Sequence, residues 1–286
     1  MEVALIKPQG FCSGVTRAVK LAKQAKEENK DKNIYILGML AHNQILIDDL
    51  SKEGFITLTG KEEEEISKLN KGDVLIFTAH GHDYKLDELA KEKGLITYDA
   101  TCFKVKDNLN KIKEEINNGH QVIYIGQSGH KETNAALAVS KNVSLYDTKL
   151  LINYQLITDK SPFVLNQTTL NFYELKRYHD DILRHYPNAR IENEICNATR
   201  LRQEAITKVD KDTDLIVIVG HPKSSNSNKL HDIAKANFKD SLVVMVNSLN
   251  ELKKIDLKGK RKAAVGSGAS TPQYIVDEIY KYLLTL

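Results

Sequence analysis

The segment Val122-Ile123-Tyr124-Ile125-Gly126-Gln127-Ser128-Gly129-His130 joins an apolar run to a polar loop. Its first four residues have the β-branched and aromatic content of a buried strand, and the glycines and polar residues that follow are typical of a turn. Residues 34–38 and 215–220 have the same plan, an apolar run that ends in glycine. The chain therefore contains three strand-to-loop segments of one kind.

A cysteine precedes each of these segments. Cys12, Cys102 and Cys196 are 90 and 94 residues apart, and each follows a candidate strand and precedes an amphipathic stretch. The loop glycines follow their cysteines by 26, 24 and 24 residues, at Gly38, Gly126 and Gly220. Each third of the chain also has a strand that runs into a small polar turn, at 78–81, 166–169 and 266–270. These matched offsets indicate one unit repeated three times.

Short β-branched runs alternate with amphipathic stretches along the whole chain. Strands are predicted at 3–6, 34–37, 74–77, 95–98, 122–125, 163–165, 189–192, 215–219 and 263–265. Apolar residues at helical spacing predict helices at 15–28, 86–93, 103–117, 172–186, 200–208 and 272–284. This alternation predicts an α/β fold with largely parallel strands. We predict three pseudo-threefold-related α/β units at 1–94, 95–188 and 189–286, with the C-terminal helix packing across units.

The composition limits the classes of partner. Of the 286 residues, 41% are hydrophobic and 28% are charged, and the net charge is only +3, so a nucleic-acid partner is not indicated. No apolar run approaches the roughly 20 residues of a membrane span, and residues 1–12 lack the apolar core of a secretory signal. We expect no membrane partner and a cytoplasmic location, where thiols stay reduced.

The three cysteines are candidate metal ligands. The carboxyl ends of parallel strands are where α/β sheets bind ligands, and all three cysteines fall there. Three thiolates can hold three irons of a cubane cluster and leave the fourth iron open as a Lewis acid. The flanking residues are turn-like, which argues against buried structural cysteines. A zinc site completed by histidine or water is the metal alternative, although close cysteine pairs are absent.

The polar loops carry the donors that a phosphorylated anion needs. Histidines lie at equivalent strand ends, and the third loop and last turn add hydroxyls and an amide; these residues are His42, His80, His130, Ser224, Ser225, Asn226, Ser227 and Ser270. Hydroxyls, amides and helix N-termini bind phosphates, whereas ordinary helix capping is the simpler interpretation of the serines. Glu132 is the only acid inside these loops. With Thr168 it could protonate a leaving hydroxyl if burial raises its pKa.

Together these segments resemble the 4-hydroxy-3-methylbut-2-enyl diphosphate reductase family, which catalyses the last step of the non-mevalonate isoprenoid pathway. The matching segments follow the family's order at 10–18, His42-Asn43, 79–81, 99–102, 129–132, 166–170, 196–199 with Arg202-Gln203, 224–227 and 268–272. Each is short, but as an ordered set they are highly specific.

The resemblance implies a trefoil of three α/β units around a central 4Fe–4S iron–sulfur cluster held by Cys12, Cys102 and Cys196. It implies a diphosphate site built from His42, His80, His130, Ser224, Ser225, Asn226 and Ser270. It also implies catalytic roles for Glu132, Thr168 and His130. The implied reaction removes the hydroxyl of (E)-4-hydroxy-3-methylbut-2-enyl diphosphate with two electrons and two protons, giving isopentenyl and dimethylallyl diphosphates. Reduced ferredoxin or flavodoxin is the implied electron donor.

The sequence departs from the family pattern at three places, with Phe103 after the second cysteine, Ala135-Ala136 after Glu132, and His221-Pro222 in the third loop. Two other functions stay open: a 4Fe–4S hydro-lyase that acts on a phosphorylated hydroxy substrate, and a non-enzymatic iron–sulfur sensor. The basic segment 253–262 is most simply a solvated edge. Our sharper hypothesis is that Lys258, Lys260 and Arg261 help to dock an acidic electron donor.

Overall fold

The structure is a computed structural model that describes residues 1–150, 157–192 and 195–286. Within these residues there are twelve strands and eleven helices. The strands are β1 (Glu2–Leu5), β2 (Ile34–Leu37), β3 (Phe55–Leu58), β4 (Val74–Phe77), β5 (Ile96–Asp99), β6 (Val122–Gly126), β7 (Val143–Asp147), β8 (Phe163–Asn166), β9 (Arg190–Ile191), β10 (Leu215–Val219), β11 (Leu242–Val246) and β12 (Lys262–Ser267). The helices are α1 (Ser13–Glu28), α2 (Gln44–Lys52), α3 (Glu62–Lys68), α4 (Lys85–Glu92), α5 (Phe103–Asn117), α6 (Lys131–Ala138), α7 (Phe172–His185), α8 (Asn197–Thr207), α9 (Ser225–Asn237), α10 (Leu249–Leu252) and α11 (Gln273–Leu284).

The strands form three four-stranded sheets with one shared topology. Their orders are β3-β2-β4-β5, β7-β6-β8-β9 and β11-β10-β12-β1, and every pairing is parallel. In each sheet the strand that runs into a glycine loop pairs with the strand that ends in a polar turn. That strand in turn pairs with the strand that precedes a cysteine. The predicted parallel α/β fold with a threefold internal repeat is confirmed.

The strand prediction was wrong at one equivalent position in each sheet. β3, β7 and β11 were not predicted, and each lies at the sheet edge beside the glycine-loop strand. Edge strands bury less side-chain surface than central strands, so their apolar pattern is weaker. Thr57 and Ser144 interrupt β3 and β7, whereas β11 is a continuous apolar run whose signal was present in the sequence.

The sheets do not follow the chain in simple blocks. The strand before each cysteine pairs with a strand of the preceding repeat, so β5 joins β4, β9 joins β8, and β1 joins β12. The boundaries at 94/95 and 188/189 therefore stay a prediction. By compactness the chain forms two units. The terminal unit comprises Met1–Thr16, Ala41–Lys52 and Cys196–Leu286, and the internal unit comprises Arg17–Leu40 and Glu53–Ile195.

The cores of both compact units explain why these strands form. All residues of β6 and β10 are buried. Strands of a parallel sheet that helices cover on both faces have this burial, and it explains why their sequences are continuous apolar runs. In the terminal unit, α11 packs Ile275, Ile279 and Leu283 onto the third sheet. Among the described helices, none is both long enough and apolar enough to cross a membrane.

Candidate active site

Cys102 is held at the start of α5 in the internal unit. Its backbone N–H donates to the Ala79 carbonyl at 3.0 Å, and its own carbonyl accepts from Lys106 in the first turn of the helix. The preceding turn is fixed because Thr101 N–H donates to the Asp99 carboxylate at 2.8 Å. The partly buried thiol therefore lies at a helix N-terminus, whose dipole favours an anionic ligand.

Cys12 and Cys196 also lie at the starts of helices, in the terminal unit, and Cys12 is anchored in the same way as Cys102. Cys12 N–H donates to the Ala269 carbonyl at 3.0 Å, and the carbonyls of both cysteines accept from the first turns of α1 and α8. Each cysteine thus meets a helix N-terminus, and both thiols are partly buried. Ala79 and Ala269 occupy the same place in two repeats, two residues after the end of the strand that runs into a polar turn.

Arg202 links the Cys12 and Cys196 segments inside the terminal unit. It is only 4% exposed, and its guanidinium donates to the Gly10 carbonyl at 2.8 Å and to the Ala198 carbonyl at 3.0 Å. Its buried Nε has no hydrogen-bond partner among the described residues. Burial lowers the pKa of Arg202, while Cys12 and Cys196 act in the opposite direction. A buried cation beside two cysteines suits an anionic iron–sulfur cluster, because buried charges need opposite charges.

Taken one at a time, the residues have donor chemistry that suits an iron–sulfur cluster, since each thiol is partly buried at a helix N-terminus and Arg202 supplies a buried positive charge. In the described parts of the chain, no group of three or more Cys, His, Asp or Glu side chains is close enough to hold a metal ion. The sequence prediction that all three cysteines are ligands accordingly remains a proposal.

Glu132 lies at the centre of a buried hydrogen-bond network in the internal unit. It is 3% exposed and follows His130, which caps α6 by accepting from Glu132 N–H. Its Oε1 accepts from Thr168 N–H at 2.9 Å and from the Tyr124 hydroxyl at 3.0 Å, and its Oε2 accepts from the Thr168 hydroxyl at 2.8 Å. Burial is the largest effect on this carboxyl and raises the pKa of Glu132 to about 6. Glu132 is therefore suited to proton transfer near neutral pH.

Two of the predicted histidines lie close to each other in the same unit. The rings of His80 and His130 are 6.2 Å apart between centroids and nearly perpendicular. The structure thus brings together His80, His130, Glu132 and Thr168, four predicted site residues from three separate loops.

The third loop supplies the other predicted diphosphate ligands in the terminal unit. Ser224, Ser225, Asn226 and Ser270 are all less than 9% exposed. Asn226 Oδ1 accepts from Ala269 N–H at 3.0 Å, whereas Asn226 Nδ2 is buried with no hydrogen-bond partner among the described residues. A buried unpaired donor is costly in the absence of a ligand, so this amide is suited to bind an anion.

His42 and Asn43 adjoin this loop through the last polar turn. The Ser270 hydroxyl donates to the His42 carbonyl at 3.1 Å. Asn43 is fully buried; its Oδ1 accepts from Leu46 N–H, and its Nδ2 has no partner among the described residues. The predicted diphosphate ligands are thus divided, with His80 and His130 in the internal unit and the others in the terminal unit.

Ser224 has the helix-capping role that was the alternative interpretation of the serines, whereas Ser227 does not. Ser224 caps α9 by accepting from Ser227 N–H. Ser227 Oγ is buried without a partner among the described residues, and it occupies the space that a Cβ on Gly220 or Gly268 would fill. These two glycines therefore provide room for the Ser227 side chain.

The sequence reasoning assigned no role to Tyr124, Asn43 or Arg202. Asn43 and Arg202 lie in motifs that carry the family resemblance, but only their burial and unpaired nitrogens indicate what they do. A signal for Tyr124 was present, since it is the polar exception at a position where the other two glycine-loop strands have Ile36 and Ile218.

The departures from the family pattern are accommodated locally. Phe103 begins α5 and is 61% exposed, so this departure lies at the first residue of a helix. Ala135 is buried against the Gly81 turn, where small residues are needed because an added Cβ on Gly81 would lie 3.3 Å from it. His221 and Pro222 are held by Lys223 N–H and the Asn228 amide.

The basic segment 253–262 lies at the amino end of β12, whereas the cysteines and polar turns lie at the carboxyl ends of strands. Lys262 pairs with Asp210 and Asp212, and Arg261 N–H donates to Asp214. These contacts do not involve the side chains of Lys258, Lys260 and Arg261, so the donor-docking hypothesis for those three residues stays a prediction.

The chain thus has a parallel α/β fold, three cysteines at the starts of helices and a buried acid, and comparison with known proteins identifies its family. A family model described as LytB protein matches residues 3–284. The chain belongs to the LytB family, so the predicted family resemblance is confirmed.

Individual relatives agree with this assignment. A protein of Macrococcus caseolyticus named 4-hydroxy-3-methylbut-2-enyl diphosphate reductase is 37% identical over 99% of this chain and 89% of its own length. The Bacillus subtilis protein of the same name is 38% identical over 99% of this chain and 90% of its own length. The solved structure of E-1-hydroxy-2-methyl-but-2-enyl-4-diphosphate reductase from Plasmodium falciparum has a TM-score of 0.88 and 29% identity, and covers 100% of this chain and 88% of that chain. The predicted fold class is thereby confirmed.

Proposed function

We propose that this protein is a reductase that removes the hydroxyl of (E)-4-hydroxy-3-methylbut-2-enyl diphosphate and produces isopentenyl and dimethylallyl diphosphates. The observation that carries the proposal is the buried Glu132–Thr168 pair, an acid of raised pKa joined to a hydroxyl, in a chain whose near full-length relatives bear the reductase name. In this proposal the protein acts in the cytoplasm on a small allylic diphosphate.

Cys12, Cys102 and Cys196 would hold a 4Fe–4S cluster, and Arg202 would offset its negative charge. When bound, the cluster would supply electrons and an open iron that binds the substrate hydroxyl. Reduced ferredoxin or flavodoxin is the proposed source of the electrons.

The reaction breaks the carbon–oxygen bond of the allylic hydroxyl. Two electrons and two protons are consumed: one proton leaves with the hydroxyl as water, and the other forms a new carbon–hydrogen bond. Protonated Glu132 can donate from Oε2 to Thr168 Oγ1, which then directs its own proton at the leaving hydroxyl. The 2.8 Å separation between these two oxygens is a normal hydrogen-bond length for this transfer.

The diphosphate would be bound by donors of the polar loops, with the partly buried His42 and the buried Ser224, Ser225, Asn226 and Ser270 from the terminal unit and the partly buried His80 and His130 from the internal unit. The side-chain amides of Asn226 and Asn43 support this role, because each keeps its oxygen on a backbone N–H and has an N–H₂ group with no partner in the part of the chain that the structure describes. These donors favour an enzyme over an iron–sulfur sensor, which needs no phosphate-binding loop.

The direct test is anaerobic purification with iron and sulfide analysis, followed by turnover with a chemical reductant. We expect about four irons and four sulfides per chain, as the 4Fe–4S formula requires, and product formation that depends on the reductant. Water loss from the substrate without reductant would instead indicate the hydro-lyase, and a protein with the cluster but no turnover would indicate the sensor.

A further inference from the structure

The buried strand β6 contains a polar residue at a position where the other two repeats are apolar. Tyr124, Ile36 and Ile218 each lie two residues before the loop glycine, and all three are fully buried. Burial of a tyrosine hydroxyl is unfavourable unless the hydroxyl is hydrogen-bonded. The Tyr124 hydroxyl donates to Glu132 Oε1 at 3.0 Å. The hydrogen bond to Glu132 thus explains how a buried tyrosine can occupy a position that is isoleucine in the other two repeats.

Room for the Tyr124 ring depends on Gly126. A Cβ added to Gly126 would lie 3.2 Å from the Tyr124 ring and closer still to Thr133. The aromatic ring, the glycine and the carboxyl therefore form one packed arrangement beneath the second loop.

The two oxygens of Glu132 have different surroundings. Oε1 accepts two hydrogen bonds, from Tyr124 and from the Thr168 backbone, whereas Oε2 accepts one, from the Thr168 hydroxyl. An oxygen that accepts two hydrogen bonds is a poor site for a proton, because a proton there would displace a donor. The acidic proton of Glu132 is therefore confined to Oε2, the oxygen that faces the Thr168 hydroxyl.

We propose that Tyr124 is a positioning residue that keeps the transferable proton of Glu132 on Oε2, directed at Thr168. This inference deepens the proposed function, because it assigns the geometry by which that function's acid acts. Tyr124 itself stays protonated, since burial and the neighbouring Glu132 raise its pKa. The charge of Lys104 of α5 also acts on the carboxyl and lowers the Glu132 pKa, whereas His130 contacts only the backbone of Glu132, by accepting from its N–H.

The test is Tyr124→Phe, which removes the hydroxyl and keeps the ring. Infrared titration of the anaerobic protein without substrate follows the protonated carboxyl band of Glu132, identified by its loss in Glu132→Gln. A hydrogen bond to the carboxylate lowers its pKa, so we expect Tyr124→Phe to raise the Glu132 pKa by about one unit. The pH at which kcat declines should rise by the same amount. On the low-pH plateau kcat should fall up to about tenfold at little changed KM, because one neutral hydrogen bond is lost.

Tyr146→Phe is a matched control. Tyr146 is also a buried tyrosine of the second sheet, and its hydroxyl donates to the Asp181 carboxylate at 2.9 Å. Its variant should leave the Glu132 titration unchanged. Incorporation of 3-fluorotyrosine at position 124, which makes the hydroxyl a stronger donor and preserves the ring, should shift the Glu132 pKa downward.

An unmoved Glu132 pKa in Tyr124→Phe would overturn the inference, even if the protein reduces the substrate. Equal shifts in Tyr124→Phe and Tyr146→Phe would also overturn it, since the effect would then be general. The infrared shift needs no turnover, so a protein that lacked reductase activity would refute the proposed function and still allow this inference to be tested.

Discussion

The second and third glycine loops, which follow Gly126 and Gly220, have the same backbone arrangement and different side-chain chemistry. In both, a side-chain hydroxyl seven residues after the glycine, Thr133 or Ser227, occupies the space of the missing Cβ. In both, the side chain six residues after the glycine accepts from a backbone N–H of the neighbouring polar turn, Glu132 from Thr168 and Asn226 from Ala269. The repeat therefore fixes where these two side chains lie.

What differs is the charge and hydrogen-bonding state at that shared position. Glu132 has both oxygens satisfied and a raised pKa, whereas Asn226 has a buried N–H₂ group without a partner among the described residues. One copy of the loop can release a proton, and the other can bind an anion. We infer that the repeated fold separates the two tasks of the reaction by changing single side chains on one scaffold.

Loss of the proposed iron–sulfur cluster is the largest effect that we predict. Each of Cys12→Ser, Cys102→Ser and Cys196→Ser should lose iron and reduce activity by orders of magnitude, because a three-thiolate site has no spare ligand. Iron and sulfide analysis with the reductase assay measures both. Ser13→Ala, at the exposed residue after Cys12, is the control. Full iron content and activity in any one cysteine variant would remove that residue from the ligand set.

The role of the second loop is tested by Glu132→Gln. The amide keeps the shape of the carboxyl and cannot release a proton, so kcat should fall by about 10²- to 10⁴-fold with KM little changed. Steady-state kinetics measures this split. The exposed Glu88→Gln of α4 is the matched control and should retain wild-type kcat. If Glu132→Gln raised KM and left kcat intact, the second loop would have the binding role that we propose for the third.

The same carboxyl predicts a smaller effect, on stability. Its folded pKa of about 6 lies above its ordinary value of 4.5, so the buried charge destabilises the fold as pH rises through this window. The penalty is absent below pH 4.5 and complete above pH 6, and it amounts to about 2 kcal/mol. The free energy of unfolding of Glu132→Gln minus that of wild type should therefore be about 2 kcal/mol larger at pH 7.5 than at pH 4.5. Denaturant unfolding at the two pH values would show a constant difference if the carboxyl were solvated.

Much of the fold could be predicted from the sequence, because each repeat contains a glycine and an apolar run at matching positions. Gly126 and Gly220 are needed for close approach, and the apolar runs before them form central strands buried on both faces. The edge strands β3 and β7 were missed because partial burial tolerates Thr57 and Ser144. Local sequence patterns also could not show which strands share a sheet, since β1 pairs with β12 from the far end of the chain.

The polar side chains of the candidate site could be picked out from the sequence, whereas the residues that support them could not. Glu132, Thr168, Asn226 and the cysteines are conspicuous because polar groups cluster in loops. Arg202 is a long charged residue in an amphipathic helix, and such residues are ordinarily solvated. Only the folded structure shows that its guanidinium is buried between the Gly10 and Ala198 carbonyls.

The measurement that tests the division of tasks most directly is substrate binding to Asn226→Asp and Glu132→Gln, two shape-preserving exchanges at the shared position. Anaerobic calorimetry with the diphosphate substrate gives the dissociation constants. Asn226→Asp replaces a donor by a carboxylate and should weaken binding by about 100-fold or more, since a hydrogen bond to a charged group is lost and like charges repel. Glu132→Gln should bind within a few-fold of wild type. Equal affinities for Asn226→Asp and wild type, or an equal loss of binding in both variants, would contradict the account.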